Sequence, residues 1–174
     1  MMYHNQLIKI YAIALATTLL SGCQIFQESA TATAILQAKS GSNLQGSVNF
    51  SQSGEKVFVT GTFSGLKPNS EQGIHIHEKG DCSSLDATSA GGHYNPTNMA
   101  HGKYTTINHH AGDMPNIISD ANGNSYYRAT LKDFTLLGES SIVGRAVVVH
   151  RDPDDYQTQP AGNSGPRIGC GMIR

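Results

Sequence analysis

One stretch of this chain constrains its fold and chemistry more than any other. Residues 75–113 hold six of the eight histidines, one of the three cysteines and, at the end, Asp113. Imidazole is a common protein ligand for zinc and copper, so histidines at this density favour a metal-binding segment. We therefore predict that this stretch, together with one distant histidine, forms a site for two metal ions.

His75 and His77 begin the stretch and stand two positions apart in an apolar run. Because successive side chains of a β-strand point to opposite faces, a strand here would place both imidazoles on one face. Two imidazoles on a rigid strand are well placed to bind one metal ion together. Taken alone, the pair is equally compatible with two solvated histidines beside a core strand.

Residues 79–114 show neither helical nor strand periodicity and contain the loop signals Gly91-Gly92 and Asn95-Pro96. Loops of this length inside a small domain are uncommon, and they are usually either functional or disordered. The cysteine, the histidines and the aspartate favour an ordered loop. We expect that order to come from a disulfide and bound metal rather than from a strand ladder.

The remainder of the chain predicts an all-β fold. Glycine is abundant at 19 residues, tryptophan is absent, and β-branched residues fall in short runs bounded by turn signals. At 174 residues the chain suits one domain. We predict an eight-stranded Greek-key β-barrel or sandwich with two long functional loops, the second over residues 151–166, and a hairpin turned at Asn122-Gly123. The predicted strands cover residues 33–38, 44–51, 55–63, 73–77, 116–120, 125–131, 142–150 and 168–173.

The N-terminal residues are typical of an export signal. Lys9 precedes an apolar run over residues 10–20, which is too short to span a bilayer as a helix. The run ends in Leu20-Ser21-Gly22-Cys23, which resembles the bacterial lipoprotein box, in which the cysteine is lipidated and becomes the mature N-terminus. Ordinary signal cleavage and an uncleaved anchor are the alternatives.

From this resemblance we predict a protein attached to a membrane only through a lipid on Cys23. Gln24, the residue after the cysteine, favours the outer membrane, with the domain in the periplasm. The predicted organisation is a lipoprotein-type signal peptide at residues 1–22, a lipid-attached linker at residues 23–32 and the folded domain at residues 33–174.

Three cysteines are an odd number for an exported protein. If Cys23 carries lipid, Cys82 and Cys170 remain to pair in an oxidising compartment. A disulfide that closes the long loop between Cys82 and Cys170 would stabilise the fold by about 4 kcal/mol if strain is small. Two free buried thiols are the alternative.

Seven short motifs, in order along the chain, resemble those of the copper/zinc superoxide dismutases, and in particular the bacterial periplasmic members. Each motif is weak alone, but seven at the family's spacing make chance a poor explanation. The resemblance runs from about Thr33 to the C-terminus. The motifs are HIH at 75–77, GDC at 80–82, GGHYNP at 91–96, HG at 101–102, HAGD at 110–113, GRAVVVH at 144–150 and RIGCG at 167–171.

The resemblance implies two metal sites that share His93 as a bridging ligand. It implies copper bound by His75, His77, His93 and His150. It implies zinc bound by His93, His101, His110 and Asp113. Between the adjacent His109 and His110, the family spacing of three residues before the aspartate selects His110, which leaves His109 facing solvent or beside the ligands.

The same resemblance assigns two supporting residues. Asp154 takes the position of a carboxylate that links a copper histidine to a zinc histidine and fixes their orientation. Arg167 takes the position of an arginine that guides the anionic substrate. A solvated loop acid and a surface arginine are the alternatives. One departure is Gln157, where bacterial relatives often carry a lysine that contributes to electrostatic steering.

The implied function is conversion of superoxide to dioxygen and hydrogen peroxide, with Arg167 and His93 as catalytic residues and protection of the cell envelope as the role. A non-catalytic periplasmic protein that buffers copper and zinc on the same fold is the alternative, and the arginine favours the enzyme. The net charge of −1 predicts no nucleic-acid partner. Both a monomer and a homodimer are compatible with the sequence.

Overall fold

The computed structural model describes residues 29–174. The predicted signal peptide and the predicted lipidation site, Cys23, lie outside the described residues. Within residues 29–174 no helix has the length and apolar character needed to cross a membrane. The helical structure in this range is one 3₁₀ turn, Thr88–Ala90.

Nine β-strands form the fold of residues 29–174. They are β1 (Ser29–Ala38), β2 (Gln45–Ser53), β3 (Lys56–Ser64), β4 (Glu71–Gln72), β5 (Ile74–His77), β6 (Ile117–Ile118), β7 (Ser125–Leu131), β8 (Ala146–His150) and β9 (Arg167–Met172). Seven of them form one sheet in the order β5-β8-β9-β1-β2-β3-β7. All of its neighbouring strands run antiparallel.

The two-stranded sheet β4–β6 links the two edges of the large sheet. β4 continues through Gly73 into the edge strand β5, and β6 leads through a turn into the other edge strand, β7. The large sheet is therefore curled, and the predicted Greek-key β-barrel is confirmed. Alternate side chains of β2 and β3 point into the barrel, as the period of a half-buried strand requires, among them Val48, Phe50, Val57 and Val59.

Three local predictions were wrong. β1 begins at Ser29, so residues 29–32 belong to a strand rather than to the predicted linker, because they pair with β2. Residues 116–120 do not form a hairpin with β7, although the turn at Asn122-Gly123 exists, since β7 pairs with β3 and β6 pairs with β4. β8 begins at Ala146, since a turn with Gly144 at a φ of 85° precedes it.

Candidate metal centre

The strands β5 and β8 carry three of the predicted ligands. They pair in antiparallel register, with His75 opposite Val148 and His77 opposite Ala146. His150 ends β8, where its backbone N–H donates to Gly73 O at 2.8 Å. These three histidines are therefore held by a hydrogen-bonded ladder.

The first long loop lies along the free edge of β5. The N–H of Ile76 donates to Gly112 O at 2.9 Å, and its carbonyl accepts from Tyr94 N at 2.8 Å. Gly112 permits this approach, because a Cβ there would overlap the carbonyl oxygen of Ile76. Isolated bridges then place His93 opposite His77 and Asp113 opposite His75. Backbone pairing thus contributes to the order that we expected from metal and disulfide alone.

The structure brings the predicted ligands into two buried groups. In each group the ligand atoms lie within 4.8 Å of one another. The first group contains His75, His77, His93 and His150, and the second contains His93, His101, His110 and Asp113. His93 belongs to both groups, and its ring stacks on that of His75 with 3.9 Å between centroids.

Hydrogen bonds fix which ring nitrogen is free in two of the first-group histidines, His77 and His150. Nδ1 of His77 lies 2.9 Å from Gly91 O, and Nδ1 of His150 lies 3.2 Å from Gly165 O. Because a carbonyl oxygen only accepts, both Nδ1 atoms carry the proton and both Nε2 atoms present lone pairs. Those two Nε2 atoms face each other at 3.4 Å. Two lone pairs at this distance repel, so a cation between them suits the arrangement.

The second group surrounds the carboxylate of Asp113. Its Oδ1 lies 2.9 Å from His93 Nδ1 and 3.5 Å from His110 Nδ1, and its Oδ2 lies 3.0 Å from His101 Nδ1. Three nitrogens and one carboxylate oxygen form a common zinc ligand set.

Buried ring nitrogens without a hydrogen-bond partner also indicate a cation in each group. Buried polar atoms in folded proteins are rarely left without a partner. The histidine nitrogens in this state among the described residues are His75 Nδ1, His93 Nε2, His101 Nδ1 and His110 Nδ1. The last two face Asp113 at 3.0 and 3.5 Å but without hydrogen-bond alignment. Each of these four nitrogens is an atom with which its residue could bind a metal ion in one of the two groups. The residues therefore fit two metal ions.

The protonation states of His77, His93, His150 and Asp113 also suit a cation. Burial, followed by repulsion from other histidines, lowers the pKa of His77 and of His150 well below 6.5 and that of His93 to about 3. These imidazoles are therefore neutral at pH 7. Burial opposes ionisation of Asp113, but the interactions of its carboxylate with His101, His110 and His93 outweigh burial and lower the carboxyl pKa. Burial likewise opposes protonation of His101, but Asp113 and Asp154 raise its pKa to about 9.

Asp154 lies between the two groups, as a linking carboxylate should. Its Oδ2 accepts from His75 Nε2 and its Oδ1 accepts from His101 Nε2, both at 2.9 Å. The carboxylate therefore directs the Nδ1 atom of each ring towards its metal group.

Arg167 begins β9 directly opposite His150. Its guanidinium donates to Ala87 O at 2.6 Å and to Gly91 O at 2.7 Å. The same Gly91 oxygen accepts from His77, so the arginine is fixed beside the first group. Burial lowers the pKa of Arg167 from its ordinary value, yet an arginine stays charged at neutral pH.

The predicted disulfide is confirmed: Cys82 and Cys170 are bonded across 88 residues of sequence. The bond joins the first loop to β9, three residues beyond Arg167. His109 lies in neither ligand group, since its ring contacts Thr106 O at 2.6 Å and Asp133 at 3.3 Å.

Sequence reasoning missed two side-chain amides beside the site, those of Asn116 and Gln159. Each forms two hydrogen bonds to the main chain of a predicted site residue. No metal-ligand spacing or charge pattern distinguishes them, because the signal for such a contact is tertiary.

A curled antiparallel β-sheet that carries two buried histidine groups with one imidazole in common defines a two-metal protein. The sequence model described as copper/zinc superoxide dismutase (SODC) matches residues 44–173. The chain therefore belongs to the copper/zinc superoxide dismutase family. The predictions of this enzyme family and of copper and zinc as its cofactors are thereby confirmed.

Individual relatives agree with this family. A copper/zinc superoxide dismutase of Aquifex aeolicus is 47% identical over 116 residues, which cover 63% of this chain and 67% of that protein. An extracellular copper/zinc superoxide dismutase of Brugia pahangi is 36% identical over 155 residues, covering 84% of this chain and 76% of that protein. A solved structure described as the clock protein EA4 has a TM-score of 0.75 and 38% identity, covering 82% of this chain and 92% of that chain.

Proposed function

We propose that this protein converts superoxide to dioxygen and hydrogen peroxide. The single observation that carries the proposal is the pair of buried ligand groups that share His93. We assign copper to His75, His77, His93 and His150, and zinc to His93, His101, His110 and Asp113. When bound, copper supplies one-electron redox chemistry, while zinc holds the loop that carries the shared histidine.

The burial of the copper ligands limits the substrate to a very small molecule. His75 and His77 are fully buried, and His150 and His93 are only 3% and 8% exposed. Burial of this degree favours a diatomic anion over a larger reductant or oxidant.

Arg167 attracts and orients that anion. Two of its N–H groups are occupied by the carbonyls of Ala87 and Gly91, which fix the plane of the guanidinium. The remaining N–H groups can donate to an oxyanion, and the positive charge raises its local concentration. The arginine therefore acts in substrate capture rather than in metal binding.

His93 is placed to carry a proton to the product. Its Nδ1 faces Asp113 at 2.9 Å and its Nε2 has no hydrogen-bond partner. With zinc bound at Nδ1, the ring would carry its single proton on Nε2 whenever Nε2 is not a ligand, and it could donate that proton to a reduced oxygen species. Asp113 keeps the ring in place while the proton moves.

We also propose that the protein acts in the periplasm, anchored to the outer membrane by a lipid on Cys23, and protects the cell envelope from superoxide. Support comes from the lipoprotein-type sequence, from the disulfide and from similarity to bacterial and extracellular enzymes. Mass spectrometry of the membrane-derived protein should find acyl mass on residue 23, and its absence would rule out the anchor. Self-association into a homodimer stays a prediction, which sedimentation of the mature protein checks.

The catalytic proposal is tested by loading the mature protein with copper and zinc and measuring superoxide consumption. We expect turnover that requires copper. Tight, stoichiometric metal binding without turnover would instead identify a protein that buffers metal.

A further inference from the structure

Two side-chain amides bind the backbone of metal-site residues in the same unusual way. The amide of Gln159 donates from Nε2 to His101 O at 2.8 Å and accepts at Oε1 from His101 N at 2.9 Å. The amide of Asn116 accepts at Oδ1 from Asp154 N and donates from Nδ2 to Asp154 O, both at 3.0 Å. Each amide therefore satisfies the N–H and the C=O of one residue together. We call these two contacts the amide clamps.

The clamps cross between the two long loops. Gln159 lies on the second loop and binds His101 on the first. Asn116 lies between the first loop and β6 and binds Asp154 on the second loop. Between them, His101 Nε2 meets Asp154 Oδ1 at 2.9 Å. Three polar contacts in close succession thus join the loops at the side of the site where zinc is proposed to bind.

From this arrangement we propose that Asn116 and Gln159 are positioning residues that hold the His101–Asp154 hydrogen bond, and thereby set the affinity for zinc. The inference rests on the zinc site of the proposed function. It assigns to these two residues a role that neither the ligand sets nor the family motifs contain.

The backbone conformation explains why this site depends on amides. His75 and His150 lie in strands, where a ladder fixes the main chain. His101 and Asp154 lie in irregular segments outside every strand. A carboxamide carries both a donor and an acceptor, so it can replace one rung of a ladder for a residue that has none.

The carboxylate of Asp154 also has little room to find another position. A Cβ at Gly162 would overlap Asp154 Oδ1 and would lie 2.8 Å from His101 Nε2. The N–H of Tyr156 donates to the same Oδ1 at 2.7 Å. With the carboxylate confined in this way, a small displacement of either backbone breaks the contact with His101 rather than being absorbed by a rotamer change.

The first test replaces Gln159 with leucine, which removes both clamp bonds and leaves the core intact because Gln159 is exposed. Replacement of an outer partner of a metal ligand typically weakens metal binding about 10- to 100-fold, and we expect the lower end, about tenfold, for zinc. Gln159→Glu, which keeps only the acceptor for His101 N, should fall between the wild type and Gln159→Leu. Gln157→Leu, on the same loop, is the matched control and should bind zinc as the wild type does.

Zinc affinity is measured by competition with a chelator, and cobalt in the same site reports ligand geometry through its visible spectrum. Copper affinity should change by no more than about twofold in these variants, since the copper ligands on strands are untouched. Equal zinc affinity and an unchanged cobalt spectrum in Gln159→Leu would overturn the inference.

A double-mutant cycle separates positioning from general destabilisation. Asn116→Leu should weaken zinc binding about tenfold in the wild type. It should have almost no effect on zinc binding when Asp154 is already alanine, because the clamp then has no carboxylate to position. Asn116 also donates to Glu71 at 3.1 Å, so a merely structural effect would persist in both backgrounds.

An equal loss in both backgrounds would therefore contradict the proposal. If Asn116→Leu does not fold, the same cycle with Gln159→Leu decides the question. Failure of the wild type to bind zinc would overturn both the proposed function and this inference. Zinc binding by the wild type with equal binding by the variants would overturn the inference alone.

Discussion

Removal of the Asp154 carboxylate should disable the proposed zinc site far more than the copper site. The side chain is completely buried and forms hydrogen bonds to one histidine of each group. Asp154→Ala leaves both Nε2 atoms without their acceptor. The two histidines differ in what else holds them: His75 lies in the ladder of β5 and β8, whereas His101 lies in a loop.

The magnitude follows from the lost contact. Loss of a carboxylate that orients a metal-bound histidine weakens metal binding about 10- to 100-fold, or about 1.4–2.7 kcal/mol. We expect the full effect on zinc, because His101 can turn once its Nε2 is released. For copper we expect less than about tenfold, because the strand keeps His75 in place and three other ligands are unaffected.

Chelator competition on the purified mature protein measures both affinities. Asp152→Ala is the matched control, since it removes the same charge from the same loop and breaks only an exposed ion pair with Arg151. It should change neither affinity by more than about twofold. A zinc affinity retained in Asp154→Ala, or a copper affinity that falls more than that of zinc, would refute the distinction between strand-held and loop-held ligands.

Three further predictions concern the copper group, the substrate and the metal-free protein. His150→Ala should abolish copper binding and activity while most zinc stays bound, and metal analysis of the purified variant checks this; full activity would refute the ligand assignment. Arg167→Gln should keep both metals but lower the rate with superoxide about tenfold and flatten its dependence on salt, as stopped-flow measurements will show. Burial and neighbouring histidines lower the pKa of His77 and His150 in the folded protein below the unfolded value of 6.5. At a pH between the folded and the unfolded pKa, the unfolded chain therefore binds more protons than the folded protein does. The metal-free protein should therefore lose stability as pH falls below about 6.5, by up to about 1.4 kcal/mol per pH unit for each histidine, and equal urea midpoints at pH 7 and pH 5 would contradict this.

Strand periodicity was sufficient to predict most of the barrel. The alternation around Val57 and Val59 indicates which face of β3 is buried, and the structure agrees. The spacing of His75 and His77 predicts a strand at this position, which the structure contains, although both faces of β5 are buried. Such patterns are local, because a strand repeats every two residues and burial acts on each repeat. The disulfide could also be predicted from the sequence, since the prediction required only the number of cysteines and an expected oxidising compartment.

Partner choice between short strands could not be predicted in the same way. Residues 116–131 contain a strand, an Asn-Gly turn and another strand, which is the local pattern of a hairpin. In the fold, β6 pairs with β4, which is more than forty residues away, and β7 pairs with β3. Which strands pair depends on closure of the barrel, and no local sequence pattern indicates that closure. The amide clamps were missed for the same reason, since Gln159 and His101 are 58 residues apart.

The two metal groups also differ in what holds them when metal is absent. The first group draws three of its four residues from β5 and β8, whose backbone bonds form without any ion. The second draws all four residues from irregular segments, which are fixed by pairing with β5, by the Cys82–Cys170 bond and by the amide clamps. His93 is common to both groups, so any loosening of the first loop also reaches the copper side through one imidazole. Occupancy of the zinc group should therefore stabilise the shared ligand, and the barrel alone should preserve the other three.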